Sequence, residues 1–208
     1  MKNARRYFHI LVCFVICTVM LLATACSSEN DTAEDNKGEV LIPISINGNE
    51  IKVGETTVKT LLDDGLNVSW VDEDYNTVVV DPNTMLDANT YYTGGNIDVT
   101  DHLFFNISLV TGDEAVTLGD AVIARLELYM VNEDDKSVLE TICFDGVPIT
   151  ELTIDKAKEM YPDWSGNEVM WLCYGLEYKY DLDFDISTGY LNKFAIECKY
   201  DVDWNGGK

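Results

Sequence analysis

Basic residues are scarce in this chain, and their scarcity excludes partners that are bound through positive charge. The 208 residues include 37 Asp and Glu, but only 14 Lys and Arg and 2 His. Without the three basic residues of segment 1–25, the 14 fall to 11 against 37 acids, a balance of −26. Outside this segment, Arg125 is the only arginine and His102 is the only histidine of the sequence. Nucleic acids and anionic lipids are bound through Lys and Arg, so we expect no nucleic-acid partner. Cations, basic proteins and uncharged surfaces remain as partners, and the acidity is equally explained by solubility alone.

Motifs of common cofactor and metal sites are also missing. The sequence has no Gly-rich phosphate-binding fingerprint and no Cys-x-x-Cys pair, which argues against P-loop, thioredoxin-type and zinc-ribbon sites. One histidine cannot build a zinc site by itself. We therefore predict no cofactor, no metal site and no catalytic residues, so that the protein is not an enzyme.

The N-terminus lacks an apolar run of the ~20 residues that a membrane span needs, but it has the zones of an export signal. A basic start is followed by a largely apolar stretch over residues 10–22 and by small residues at 23–25. The segment Leu22-Ala23-Thr24-Ala25-Cys26, with serines after it, resembles the lipobox of bacterial lipoproteins, although Ala23 stands where the lipobox usually has Leu. The alternative is an uncleaved transmembrane anchor.

The lipoprotein resemblance implies a diacylglycerol on the sulfur of Cys26, and two acyl chains anchor a protein stably. Residues 1–25 are then the signal peptide. Residues 26–39 form a flexible acidic tether, since 27–38 contain no large apolar residue and four acids against one lysine. We expect the protein to be held at the extracytoplasmic face of a cell membrane.

The remaining sequence predicts an α+β fold, mostly antiparallel sheet with two short helices. Two segments, 40–135 and 136–208, share an order of strand, turn glycine, strand and Thr-capped helix, which suggests two degenerate hairpin–helix–sheet units. The turns are at Asn47-Gly48 and Asp145-Gly146, and the helices begin at Thr57 and Thr153. Period-two alternation predicts further strands over 67–71, 77–80, 103–110, 121–131, 138–144, 168–174, 177–185 and 190–202, with 81–96 as a turn-rich stretch.

The last segment, roughly 140–203, carries a second resemblance. A helix opening at Thr153, a corner at Tyr161-Pro162 and Tyr-rich strands make it similar to the domain of β-lactamase-inhibitor proteins and outer-membrane-assembly lipoproteins. Those proteins have a glycine in the corner, which this chain lacks. The resemblance implies a curved antiparallel sheet and a protein-interaction or scaffold role, without chemistry.

Acidic clusters are the first candidates for a site. Residues 181–185 read Asp-Leu-Asp-Phe-Asp, like the start of a calcium loop, but Ile186 and Asn192 stand where an EF-hand needs Gly and Glu. The alternating apolar residues favour a strand with one wet face, and weak calcium binding is the alternative. Acid–base pairs, as in glycosidases, are the other hypothesis for the acids at 72–74, 113–114, 201 and 203. His102 is predicted in a solvated turn.

Cysteines and aromatic residues are the second group of candidates. Cys143, Cys173 and Cys198 are expected as small buried hydrophobes, with a Cys173–Cys198 disulfide as the alternative. The aromatic residues are expected partly in the core and partly in an exposed patch of the kind found on interfaces and sugar-binding faces. They are Tyr91, Tyr92, Trp164, Trp171, Tyr174, Tyr178 and Tyr180.

The sequence thus predicts a membrane-anchored extracytoplasmic lipoprotein that serves as a non-enzymatic protein- or envelope-interaction module. The membrane is one partner, through the lipid on Cys26, and a protein or envelope component is the other. The alternatives are a lipoprotein that binds a cation or small solute, and a hydrolase of cell-wall polymers.

Overall fold

The computed structural model describes residues 40–72, 74, 76–129 and 135–202 of the chain. All of them belong to one folded unit, residues 36–208. The predicted signal peptide and tether, with Cys26, lie outside the described residues. Within the described ranges, no helix is both long and apolar enough to cross a membrane.

Antiparallel strands make up most of the fold, which confirms the predicted α+β class. Three short helices accompany them in the described ranges: α1 (Val58–Asp63), α2 (Lys136–Leu139) and α3 (Ile154–Met160). The strands are β1 (Ile44–Ile46), β2 (Asn49–Ile51), β3 (Asn67–Val71), β4 (Thr77–Val79), β5 (Met85–Leu86), β6 (Tyr91–Asp98), β7 (Phe104–Val110), β8 (Val116–Thr117), β9 (Val122–Tyr129), β10 (Ile142–Phe144), β11 (Val147–Pro148), β12 (Ser165–Gly166), β13 (Met170–Tyr174), β14 (Tyr178–Phe184) and β15 (Leu191–Cys198).

The strands form one large sheet and two small ones. The large sheet has nine strands in the order β12-β13-β14-β15-β9-β7-β6-β3-β4, and a four-stranded sheet has the order β11-β10-β1-β2. Strands β5 and β8 form a separate pair. Both larger sheets contain strands from 40–135 and from 136–208, joined by the β9–β15 and β1–β10 pairs. The division of the chain into two units near residue 135 stays a prediction.

The core lies on one face of the nine-stranded sheet, which we call the inner face. Successive side chains along a strand point to opposite faces of a sheet, and residues that are paired across adjacent strands point to the same face. The four-stranded sheet packs against them through Phe144, whose ring centroid is 5.6 Å from that of Phe194. One buried row across the inner face consists of Val68, Ile97, Phe105, Leu128, Phe194 and Leu182.

The two hairpins and the two predicted helices form as their sequences suggest. Asn47 and Gly48 have φ values of 53° and 83°, and Asp145 has a φ of 49°, which two-residue hairpin turns require. Thr57 and Thr153 are the N-caps of α1 and α3, and each side chain accepts from the backbone N–H three residues later. The hairpins pair with each other antiparallel through β1 and β10. The interpretation of the chain as two degenerate hairpin–helix–sheet units stays a prediction.

Two segments differ from the sequence-based expectation. The stretch 81–96, expected as turns, contains β5 and the start of the eight-residue strand β6. Gly94 and Gly95 lie inside β6, where the ring of Trp70 covers Gly95. The predicted strand 138–144 is divided between α2, capped by Asp135, and the short strand β10.

Candidate functional site

The face of the nine-stranded sheet opposite the core is the candidate site, and we call it the outer face. The α-helices and the four-stranded sheet pack through core residues such as Leu61, Ala157 and Phe144. The outer face is lined with polar side chains that the alternation of the strands directs away from that core. One row across it, in pairing order, is Ser69, Asn96, Asn106, Glu127, Ala195 and Asp181.

A charged cluster occupies the middle of the outer face. Glu127 on β9 is only 4% exposed. Its Oε1 lies 2.9 Å from the Nζ of Lys193 on β15, and its Oε2 pairs with Arg125, the last arginine of the chain. Charge-assisted contacts from two cations offset the unfavourable burial of one carboxylate. The cluster therefore fixes its side chains in one arrangement.

Asp181 on β14 adds to the charged cluster a carboxyl group whose pKa is raised. Burial, and next the charge of Asp183, raise the pKa of its carboxyl group, while Lys193 acts in the opposite direction. Its Oδ1 is buried and has no hydrogen-bond partner among the described residues. Asp181 thus adds an unused acceptor to this part of the face.

Apolar side chains lie on both sides of the charged cluster. On β13, Met170 and Tyr174 are 37% and 69% exposed. On the other side, Phe104 and Val79 are 43% and 87% exposed. Aromatic residues and Met are enriched at surfaces that bind a protein partner.

A groove crosses the half of the outer face formed by β3, β4, β6 and β7, and we call it the amide groove. Its volume is about 930 Å³. The polar floor is built from Asn67, Ser69, Asn96 and Asn106, which come from three neighbouring strands. The remaining lining residues are Leu62, Leu66, Val68, Val71, Thr77, Val79, Asp98, Val99, Thr100, Asp101 and Phe104.

Two of the other aromatic candidates, Trp164 and Tyr180, are buried in the core. The remaining ones are half-buried against it: Tyr91, Tyr92, Trp171 and Tyr178. Trp164 stacks between Tyr161 and Tyr180, with ring centroids 4.3 Å and 5.1 Å away. The hydroxyl of Tyr180 accepts from the Ile42 N–H and donates to the Val40 carbonyl, so it holds the beginning of the described chain. Burial is the main cause that raises the pKa values of Tyr161 and Tyr180.

The calcium-like motif is divided between a strand and a turn. Asp181 and Asp183 lie on β14, with Leu182 and Phe184 buried between and after them. Asp185 caps the following turn and accepts hydrogen bonds from Ser187 and Thr188. No group of three or more His, Cys, Asp or Glu that could hold a metal ion occurs in the described ranges.

The remaining acidic candidates and His102 lie in separate turns. His102 is exposed between β6 and β7, and Asp113 and Glu114 are exposed between β7 and β8. Asp72 accepts from the backbone N–H groups of Asp74 and Asn76 in the β3–β4 turn. Asp201 is exposed, and residues 73 and 203 lie outside the described residues.

None of the three cysteines in the described ranges forms a disulfide. Cys173 and Cys198 are buried on β13 and β15, two strands that β14 separates, so the alternative of a Cys173–Cys198 disulfide is wrong. Burial raises the pKa of the Cys198 thiol to about 11. Cys143 is half-buried on β10.

The amide groove is the feature that the sequence reasoning missed. Its signal is the alternation of polar residues in three segments: Asn67 with Ser69, Asn96 with Asp98, and Asn106 with Ser108. These residues meet only through the β3–β6–β7 pairing, and β6 was expected as part of a turn. The chain matches no protein-family model, no curated protein and no solved structure.

Proposed function

We propose that the protein is a lipid-anchored, non-enzymatic protein of the cell envelope that holds an envelope component against the outer face of its nine-stranded sheet. The observation that carries the proposal is this face, with its charged cluster, its exposed apolar side chains and its groove. The anchor is the proposed lipid on Cys26, which follows from the lipobox resemblance.

The charged cluster of the outer face supports this proposal because its paired side chains are held in place. Glu127 is fixed by Arg125 and Lys193, and its strand β9 pairs with β7 on one side and with β15 on the other. A surface that is ordered before association loses little side-chain freedom when a partner arrives. The strong acidity of the chain keeps it away from anionic membrane lipid, so the face stays available.

The anchor is tested by metabolic labelling of cells with a fatty-acid probe. We expect the full-length wild type to be labelled and to sediment with membranes, and a Cys26→Ser variant to lose both properties. Equal labelling of the two chains would contradict the lipid anchor.

The binding face is tested in the same cells with a photo-crosslinking residue. Tyr174 on the outer face and Ile186 in the β14–β15 turn are 69% and 83% exposed, so they form a matched pair of positions. We expect envelope material to be captured from position 174 and not from position 186. Capture at neither position, or equally at both, would contradict the proposal.

A further inference from the structure

The described lining of the amide groove contains no positively charged side chain. None of the described residues that line it is Lys, Arg or His, and only Asp98 and Asp101 are acidic. A phosphate or carboxylate group in the groove would find no positive side chain to pair with. The volume of about 930 Å³ lies within the range of ligand sites in proteins. The groove therefore suits a ligand without negative charge.

The side chain of Thr100 in the amide groove accepts from the backbone N–H groups of His102 and Leu103, but several other polar groups of the groove are unused within the described part of the chain. The side chains of Asn67, Asn96, Asn106 and Asp98 make no hydrogen bond to other described residues. The hydroxyl of Ser69, a residue only 5% exposed, has no partner there either. Buried polar groups in proteins are nearly always hydrogen-bonded, and one that is not points to a missing partner. In the charged cluster on the same face, by contrast, Glu127 pairs with both Arg125 and Lys193.

The geometry of these groups is set by the sheet. Ser69, Asn96 and Asn106 are directly opposite one another on β3, β6 and β7. Neighbouring strands are about 4.8 Å apart, so the three side chains form a row at the spacing of strands. A carboxamide both donates and accepts hydrogen bonds, as a sugar hydroxyl does. The row is suited to a ligand that presents hydroxyl groups at regular intervals.

Apolar surface lies beside the polar row. Phe104 is 43% exposed on β7, directly opposite Asp98 on β6. Val71 and Val79 line the groove on the side of β3 and β4. A sugar ring has hydroxyl groups at its edge and an apolar C–H face, and aromatic rings cover such faces well.

We infer that the amide groove binds an uncharged glycan, with the three asparagines bonding its hydroxyl groups and Phe104 packing against a ring. This inference rests on the proposed function of the outer face and names the class of envelope component that it takes. The polar groups extend across three strands, so a chain of several sugar units that contacts all of them binds better than a monosaccharide that reaches only some.

The test uses the full-length lipidated protein in detergent and a panel of soluble polysaccharides. The neutral probes are mannan, a β-1,3-glucan and oligomers of N-acetylglucosamine, and the anionic probes are polygalacturonate and heparin. We expect at least one neutral probe and neither anionic probe to bind. We expect Phe104→Ala and the double variant Asn96→Ala/Asn106→Ala each to weaken that binding about tenfold or more. Ile186→Ala, which removes an exposed apolar side chain from the β14–β15 turn, away from the groove and from the crosslinking position on the outer face, should leave the affinity within about twofold.

Thermal unfolding of each variant accompanies the binding measurements and shows that the fold is kept. Absence of binding to every neutral probe, or equal affinity of wild type and groove variants, would overturn the inference. A peptide or protein that is crosslinked at position 104 and competes for the groove would overturn it as well. Position-specific capture at Tyr174 in cells would then still support the proposed function, so the two failures are distinguishable.

Discussion

Glu127 shows at the residue scale how the outer face tolerates a buried charge. The carboxylate is almost inaccessible to water and pairs with both Arg125 and Lys193. We expect Glu127→Gln to reduce the free energy of unfolding by about 2–3 kcal/mol, because it leaves two partly buried cations without their counter-charge. Urea denaturation measures the change. The matched control is Glu177→Gln, which breaks the exposed pair with Lys199 and should have an effect below about 1 kcal/mol. Equal effects of the two variants would contradict the role assigned to the cluster.

Asp185, in the turn between β14 and β15, makes the free energy of unfolding depend on pH. Hydrogen bonds from the Ser187 hydroxyl, and next from the Thr188 N–H, lower the pKa of its carboxyl group to about 2. An unfolded chain has an Asp pKa of about 3.9, so the folded state binds this proton less readily. The stabilisation is fully present above the unfolded pKa and is lost as the pH falls through the folded pKa.

We therefore expect Asp185→Asn to be less stable than wild type near neutral pH. The difference should shrink as the pH falls from about 4 to about 2, since wild type then loses its advantage by protonation. Urea unfolding across this range measures it. Ser187→Ala removes the hydroxyl that is the main hydrogen-bond donor to Asp185. Its free energy of unfolding should depend on pH less than that of wild type and more than that of Asp185→Asn. A difference that stays constant down to the lowest pH would show that Asp185 acts through turn geometry alone.

At the scale of the element, strand β6 depends on a glycine that looks like a turn signal. A Cβ at Gly95 would lie 2.4 Å from the Trp70 ring and 2.7 Å from Ile107, so no side chain fits there. We expect Gly95→Ala to reduce the free energy of unfolding by about 1–3 kcal/mol through overpacking. Gly112→Ala is the matched control, because a Cβ at Gly112 meets nothing within 4 Å. Urea denaturation compares the two, and a neutral Gly95→Ala would contradict this explanation of the strand.

The same element shows which parts of the fold the sequence predicts. Helices α1 and α3 are set by local signals, the caps at Thr57 and Thr153, and both were predicted. Strands β9 and β14 were predicted because their alternation is complete within one segment. Strand β6 was missed because its glycine pair is explained only by Trp70, which is distant in sequence. The amide groove was missed for the same reason, since its asparagines lie on three strands whose pairing the sequence does not state.

At the scale of the whole folded unit, the two larger sheets share one core. Phe144 of the four-stranded sheet contacts the rings of Phe194 and Tyr180 on the inner face of the nine-stranded sheet. In that sheet, Leu126 on β9 is paired with Ile107 on β7 and Ile196 on β15. The strands from 40–135 and from 136–208 therefore bury their apolar residues in one core. A destabilising substitution on either side of the β9–β15 pair should lower the stability of both segments.

This arrangement predicts that strands from the two segments unfold in one cooperative transition. Leu126 is completely buried at the junction, so Leu126→Ala should reduce the free energy of unfolding by about 3 kcal/mol. Native-state hydrogen exchange at increasing urea should show the same loss of protection in β7 and in β14, although only β7 pairs with β9 directly. Val79→Ala, which removes an 87% exposed side chain from the edge strand β4, should change neither. If β14 kept its protection while β7 lost its own, the segment 136–208 would be a separate folding unit.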